Sequence, residues 1–392
     1  MKAIILAAGK WTRLAPFTDT TPKPLIKIMG KSIIEHNLES IYKDVEEIII
    51  VTKYLAEKFP ETLWDSYKWT PLTYKIQGDE KWTGGALFWF ESEVDVVIMN
   101  GDAILDKADL QSLVQHPGYA CLVKKVEDPE RYGIFQLSEI GNIKAVVEKP
   151  ETNIWNLANT GIYKMPGEIF EAIKNIELSP RGEYEITDAI NIIAENFPLK
   201  PITVTGYYID IGFPWNIHDV NSHFLSALTD SRNDGTIEDE VNINGEVIIE
   251  SGAIIKSGTY IEWNCYIWKD SIIWPNAYIR WNTYIWNNSK VWFSVECKNS
   301  TIWDNSSIPH LSYVWDSIIW NNVNLWWGFK VANLRHDWKN IKVMSKWELI
   351  DSWKRKLGAI IWDNVKTWIN TLMYPWRILE TNSSTVPGEI VK

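Results

Sequence analysis

Cysteine is scarce in this chain, with three in 392 residues and none in a CxxC spacing. Cys121, Cys265 and Cys297 are too few and too far apart for a disulfide framework or a zinc site, and they suit a reducing cytosol. Long apolar runs are missing as well. The first, AIILAA after Met1-Lys2, stops short of a signal-peptide core, and no stretch approaches the length of a membrane span. Positive charge is in deficit: 39 Lys and Arg against 50 Asp and Glu leave a net charge of −11. That balance excludes a general binder of nucleic acid or membrane surface, so local cations have to hold any anionic substrate. Tryptophan, normally among the rarest residues, is instead abundant, at 24.

The length suggests two domains, and two periods divide the chain. Up to residue 228, strand-like segments rich in Val and Ile (KAIILA, EEIIIVT, DVVIMNG, YACLVKKV, IKAVVEK) alternate with helical spacing in KSIIEHNLESIYK and GEIFEAIKNI. This succession implies a mainly parallel sheet with helices on both faces and a ligand site at the carboxyl ends of the strands. A linker is expected over 229–240, where SRNDGTIEDE is polar and without period. Beyond it, over 241–392, Ile249, Ile255, Ile261, Ile267, Ile273, Ile279 and Ile285 fall on a spacing of six. Four residues after the first six of these come Ala253, Thr259, Cys265, Ser271, Ala277 and Thr283, all small. Ile302, Ile308 and Val314 resume the spacing, as do Ile361, Thr367, Met373 and Leu379. A parallel β-helix uses such a period, each flat side pointing one aliphatic residue inward and each cramped corner taking a small one.

Chemistry-bearing residues converge on the expected ligand edge of the first half. MKAIILAAGKWTRLAP places a short buried strand before the turn Ala7-Ala8-Gly9, followed by Thr12-Arg13. Such a turn cradles a phosphate with backbone N–H groups. Trp11 is out of place there, because an indole fills the space a phosphate needs. Lys23 lies in TPKPLI, where flanking prolines stiffen the chain and aim one ammonium. Gln77 can both donate to and accept from a base edge, and KWTGGAL follows it. VVIMNGD ends a strand with Asp102, where Mg²⁺ could bridge it to phosphates. Glu148 and Lys149 in VVEKP, Asn159 in NTGIY and Asp210 in YYIDIG complete the set. Singly, each has a bland reading as a turn or solvated residue; together they point to one site.

LAAGKWTRLAPFTDTTPKPL, Gln77, Gly101-Asp102, Tyr132-Gly133, EKP, NTGIY and DIG resemble the sugar-1-phosphate nucleotidylyltransferases over residues 1 to 225. The resemblance implies an α/β nucleotidyltransferase with a Rossmann-like mixed sheet. It implies that Leu6, Ala7, Ala8 and Gly9 line the nucleotide, that Gln77 and Thr83 read the base, and that Arg13 and Lys23 hold the phosphates as catalytic cations. Gly133, Glu148, Lys149 and Asn159 would hold the sugar phosphate, and Asp102 and Asp210 would ligate Mg²⁺. The implied chemistry is attack of a sugar-1-phosphate oxygen on the α-phosphorus of a nucleoside triphosphate, carried by positioning and charge neutralisation.

In the second half, IPHLSYVWDS (308–317) interrupts an apolar, amide-rich coil with His310 and, close behind, Tyr313. A satisfied surface His is the bland reading. Arg280, Lys298, Asn324, Asn333 and Lys339 stand around it, and several cations near one His suit a phosphorylated amino sugar whose amine must lose a proton. This half is similar to the acetyltransferase domain of the bifunctional N-acetylglucosamine-1-phosphate uridylyltransferase/glucosamine-1-phosphate acetyltransferases, a left-handed β-helix of hexapeptide repeats. Carried over, His310 is the catalytic base, Arg280 and Lys298 bind phosphate and sugar, and Tyr313, Asn324, Asn333 and Lys339 contact the sugar. The resemblance implies a homotrimer with the acetyl site between adjacent β-helices and acetyl-CoA as donor. Trp326-Trp327-Gly328-Phe329 is bulkier than the family's turn beside the donor site. Two other readings stay open: a monofunctional glucose-1-phosphate thymidylyl- or uridylyltransferase whose β-helix only trimerises, and a non-catalytic nucleotide-sugar-binding subunit.

Tryptophan recurs where these families place glycine, at Trp11, Trp82, Trp268, Trp274, Trp286, Trp315, Trp320, Trp362 and Trp368; Trp215 is the position where the family itself carries Trp. A bulky residue in a turn needing φ > 0 costs about 1–2 kcal/mol, and β-helix corners facing solvent return nothing for it. The expectation is that most of these codons are UGA, read as glycine in the source cell.

Overall fold

The computed structural model describes residues 1–14, 17–78, 82–150, 155–179, 182–345 and 348–392, without the side chains of 17, 82, 344, 345 and 348. The chain forms two compact units, one of Met1–Thr12 with Thr18–Ile211, the other of Arg13–Phe17 with Gly212–Lys392. Among the described residues no helix is long and apolar enough to cross a membrane.

The first unit is built on the strand Lys2–Leu6, which runs parallel to Glu47–Thr52 on one side and to Val96–Asn100 on the other. Their unbroken aliphatic runs are what a strand buried on both faces requires, and Ile4, Ile5, Ile48, Ile50, Val97 and Ile98 are all buried. Thr70–Ile76 extends the parallel half. Beyond Val96–Asn100 the sheet changes character. Leu157–Met165 pairs antiparallel with that strand, with Gly133–Leu137 and with Tyr119–Lys125. The sheet is therefore mixed, and the mainly parallel expectation holds only for its first half. Helix Ile33–Ile41 starts at a closed capping box: the Ser32 hydroxyl accepts from the Glu35 N–H while the Glu35 carboxylate accepts from the Ser32 N–H.

The second unit is a left-handed parallel β-helix. Ile249 lies opposite Ile267 and Ile267 opposite Ile285, so one coil takes eighteen residues, or three hexads. The aliphatic column from Ile249 to Ile285 and the small residues from Ala253 to Thr283 are buried throughout. The next pairings, Ile285 with Ile302 and Ile302 with Ile319, are seventeen apart. One residue is thus dropped from each of those coils, which is why the hexad spacing falters there in sequence. Between Ile319 and its next partner Ile361 the chain leaves the coil and forms the hairpin Lys342–Ser345 with Glu348–Asp351.

Three expectations are redrawn. Residues 229–240 are not a free linker: Arg232–Asn233 and Thr236–Ile237 pair with the strands of the next coil and form the first turn of the β-helix. Stacked on one side only, these strands stay exposed, so their polar composition hid them; terminal repeats commonly carry a polar outer face. The unit also begins before 228, because helix Asn216–Ser226 docks on the coils. Its His218 ring bonds the Asp316 carbonyl (3.1 Å), Asn221 donates to the Thr301 hydroxyl (2.8 Å), Ser222 accepts from Asn282 (2.7 Å) and the Leu225 carbonyl accepts from Asn264 (2.7 Å). The corners also differ from expectation: Trp286, Trp303, Trp320 and Trp362 are buried rather than solvent-facing. Their rings follow one another at 6.0, 4.0 and 6.2 Å, with Trp268 5.0 Å before Trp286.

Ile285 sits in the middle of the inward column. Replacing it with Ala should lower stability by about 2–5 kcal/mol, read as a fall in the denaturant midpoint of the β-helix transition at unchanged slope. An unchanged midpoint would contradict its place in the stack.

Candidate active sites

The first site forms where the central strands end. The Ala7 N–H donates to the Val51 carbonyl (2.8 Å), Gly101 N–H to Leu6 (2.9 Å) and Gln77 N–H to Thr52 (2.8 Å), which gathers the loops after four strands at one edge. Leu6 ends its strand, and Ala7, Ala8 and Gly9 lie in the first of these loops. Asp210 reaches the same edge because Tyr208–Asp210 runs antiparallel to Ala103–Leu105, Asp210 opposite Ala103 and hence beside Asp102.

Lys23 lies between the two carboxylates. It starts a 3-10 turn, Lys23–Leu25, held by Pro22 before it and Pro24 after it, the stiffening its flanking prolines predict. Its Nζ donates to Asp102 Oδ2 at 2.7 Å and to Asp210 Oδ1 at 3.2 Å. The residue is 1 % exposed, and an ammonium stripped of water is tolerable only when paired in this way. Burial pushes the Asp102 carboxyl up, but the Lys23 charge and hydrogen bond, with the Trp11 indole N–H (3.1 Å), outweigh it. Its pKa lies below the ordinary carboxylate value, and it is charged at neutral pH. The two carboxylates keep 24 % and 56 % of their side-chain surface accessible. They offer the hard oxygen donors Mg²⁺ takes, with open positions for substrate oxygens and water. Among the described residues no larger cluster of His, Cys, Asp or Glu gathers to compete for a metal.

The remaining candidates of this unit divide. Gly133 lies opposite Glu148 across an antiparallel pair, and a Cβ there would come within 2.8 Å of Glu148 Oε1; glycine lets the carboxylate cross the strand. Lys149, next in sequence, is exposed with a left-handed φ of 44°. Asn159 is carried to the Asp102 end by the pairing of Ile162 with Met99, and its Oδ1 accepts from the Gly161 N–H and the Tyr163 hydroxyl, both at 2.9 Å. Gln77 is half-buried at its strand end, while the Thr83 hydroxyl accepts from the Ile186 N–H at 3.5 Å and ties its loop to helix Ile186–Asn196. The side chain of Trp82 lies outside the described atoms. Arg13 belongs to the second compact unit, is exposed, and stands 5.8 Å over the Phe213 ring. Sequence reasoning missed Asn100, whose amide lies so close over Gly161 that a Cβ there would meet it at 2.1 Å. Its place directly before Gly101-Asp102 was the available signal.

In the β-helix, register brings the cations together. Tyr278–Arg280, Glu296–Lys298 and Tyr313–Trp315 are consecutive rungs, with Arg280 beside Lys298 and Lys298 beside Trp315. Arg280 pairs with Glu262 and Glu296 at 3.1 Å each. Burial pushes the Lys298 ammonium's pKa down, against the opposing charge of Asp316. Burial, then the charge of Glu296, pushes the Tyr313 hydroxyl up to about 12. Asn333 is buried and donates to Asp316. Asp316 is thus a hub that sequence reasoning missed: it also accepts from Asn299 at 2.6 Å, and its carbonyl meets His218. His310 and Asn324 form a second group. They line a cavity of about 550 Å³ with Asn288, Lys290, Trp292, Asn305, Trp326 and Trp327, and the exposed His310 ring stands 5.2 Å from that of Trp292. Lys339 is exposed on the excursion that leaves the coil, its N–H donating to Asp337.

Residues 2–227 match the family model described as nucleotidyl transferase. Over its whole length the chain is 40 % identical to a Sulfurisphaera tokodaii protein named bifunctional sugar-1-phosphate nucleotidylyltransferase/acetyltransferase, covering 97 % of it. It is 42 % identical, over 96 % of this chain and 91 % of the relative, to the bifunctional protein GlmU of Methanocaldococcus jannaschii. Among solved structures, UDP-glucose pyrophosphorylase complexed with UDP-glucose superposes with a TM-score of 0.54 at 22 % identity, covering 58 % of this chain and 99 % of that one, a likeness of fold. Geometry, family model and full-length relatives agree: the chain belongs to the nucleotidyl transferase family, among its bifunctional sugar-1-phosphate nucleotidylyltransferase/acetyltransferases.

Proposed function

We propose that the first unit transfers a nucleotidyl group from UTP or dTTP to a sugar-1-phosphate and that the β-helix N-acetylates glucosamine-1-phosphate from acetyl-CoA, the net product being UDP-N-acetylglucosamine. The observation that carries this reading is the convergence of Lys23, Asp102 and Asp210 at the ligand edge of the sheet. In the first reaction a phosphate oxygen of the sugar-1-phosphate bonds to the α-phosphorus, and the bond from that phosphorus to the β-phosphate bridging oxygen breaks, releasing pyrophosphate. Negative charge accumulates on the transferred group, and Lys23 neutralises it without a protein nucleophile. Asp102 and Asp210 would hold Mg²⁺, which supplies further charge neutralisation when bound. Glu148, Lys149 and Asn159 orient the attacking sugar phosphate over Gly133, and Gln77 and Thr83 read the base.

In the second reaction His310 takes the proton of the amine, the amine nitrogen bonds to the acetyl carbonyl carbon, and the carbon–sulfur bond breaks with the thiol leaving protonated. Arg280 and Lys298 hold the phosphate, while Tyr313, Asn324, Asn333 and Lys339 contact the sugar. The working enzyme is a homotrimer with this site between adjacent β-helices. The three free, buried cysteines suit a reducing cytoplasm.

Assayed on protein made in its own source cells, Asp102→Asn should abolish nucleotidyl transfer and leave acetyl transfer nearly intact. Both activities falling together in a folded protein would contradict two separate sites. His310→Ala should do the reverse, with a loss on the order of 10²-fold or more, as for a general base. Acetylation at the parent rate would remove His310 from the mechanism. Light scattering at micromolar concentration should return the mass of a trimer, and a monomer would contradict the intersubunit site.

A further inference from the structure

Most corners of this β-helix put a residue in the left-handed region, and register groups those residues into columns. In one column stand Gly252, Asp270, Asn288, Asn305, Asn322, Asn364 and Asn382, all with positive φ and all glycine or the short polar residues that visit this region. A second column follows directly after the paired residues Asn244, Glu262 and Arg280. It runs Gly245 (φ 137°), Trp263 (78°), Trp281 (27°), Asn299 (46°) and Asp316 (50°). Two tryptophans therefore occupy corner positions flanked in the column by a glycine on one side and an asparagine on the other. Trp11, Trp64, Trp338, Trp353 and Trp376 are left-handed as well. Tryptophan has neither glycine's freedom nor a short side chain that bonds its own backbone, so such a set has no conformational rationale.

These indoles also stand where the two reactions need room. The Trp11 ring is folded over the phosphate loop: a Cβ on Gly9 would meet its Cε2 at 2.9 Å. Its Nε1 donates to Asp102 Oδ2 at 3.1 Å and its centroid is 5.9 Å from the Lys23 ammonium. In the β-helix the Lys298 ammonium is sandwiched between Trp281 and Trp315, 4.2 Å from each ring centroid. The principal anion-binding lysine of each site is thus covered by an indole. Among the described residues the indole N–H groups of Trp268, Trp274, Trp286, Trp315 and Trp376 are buried without an acceptor, although a buried tryptophan ordinarily finds one. Those following an inward aliphatic residue, Trp268, Trp274, Trp286 and Trp315, are not left-handed, contrary to expectation; their orphaned N–H groups mark them instead. Trp215 differs in its setting, at the start of a helix and outside the coils. Its φ is −68°, it opens a helix, and it stacks on Phe213 at 4.5 Å.

We propose that glycine stands at Trp11, Trp263, Trp281 and the other anomalous tryptophans in the working protein, the gene carrying UGA codons that its own cell reads as glycine, and that both anion sites are open in consequence. Trp215 alone is encoded by UGG and is tryptophan.

The test is the peptide mass of the protein purified from the cells that carry its gene. Peptides spanning positions 11, 263 and 281 should each be lighter by the difference between tryptophan and glycine, and the peptide spanning 215 should retain tryptophan. Tryptophan at 11, 263 and 281 in those peptides would overturn the proposal, as would UGG codons there. A second arm rests on the nucleotidyl reading above. Recombinant chain with tryptophan throughout is compared with its Trp11→Gly variant for UTP binding by calorimetry, and the variant should bind at least tenfold tighter. Equal, measurable affinities would overturn the claim that Trp11 closes the site. Glycine in the native peptides with no UTP binding by the folded protein from its source cells would overturn the nucleotidyl reading and leave the residue assignment standing.

Discussion

A coil that closes in eighteen residues has to turn three sharp corners, and a corner that sharp takes a left-handed φ. Most of the carboxy-terminal half follows from that constraint. It demands glycine, asparagine or aspartate at fixed positions, and Asp270, Asn276, Asn288, Asn305 and Asn322 meet the demand. It leaves one inward position per flat side, filled by the aliphatic column. It also stacks the same position of successive coils in register, so that Glu262, Arg280 and Lys298 become neighbours although eighteen residues separate each from the next. A charged patch assembled in this way is as rigid as the coil beneath it, which would suit a site that holds a phosphate in one place.

The first site solves the opposite problem. Lys23 is stripped of water in a turn held by prolines, and its charge is sustained by carboxylates from two distant segments. Removing either carboxylate leaves a buried ammonium partly uncompensated, which costs several kcal/mol as a rule. The same two carboxylates are the donors a divalent ion would use, so ammonium and metal would share them. The ammonium orders the pair before substrate arrives, a form of preorganisation for charge that develops later in the reaction.

Periodicity made much of this legible in sequence. The spacing of six from Ile249 to Ile285 specified a coil, and the flanking prolines of Lys23 specified an aimed ammonium. What stayed hidden had physical causes. The first coil, at Arg232–Ile237, is stacked on one side only and carries polar residues that read as a linker. Helix Asn216–Ser226 reads as the end of the first domain because its amphipathic pattern does not reveal which body it docks on. Asp316 joins Asn299, Asn333 and His218, partners that only the closed coils and the docked helix bring near. Asn100 faces Gly161 across strands whose antiparallel pairing no local pattern announces.

The central claim is that one chain carries two reactions in sequence. Its most direct test is a product balance on enzyme from its source cells, supplied with glucosamine-1-phosphate, acetyl-CoA, UTP and Mg²⁺. The account predicts UDP-N-acetylglucosamine with one free thiol and one pyrophosphate released for each molecule formed. Pyrophosphate release without thiol, giving an unacetylated nucleotide sugar, would contradict it.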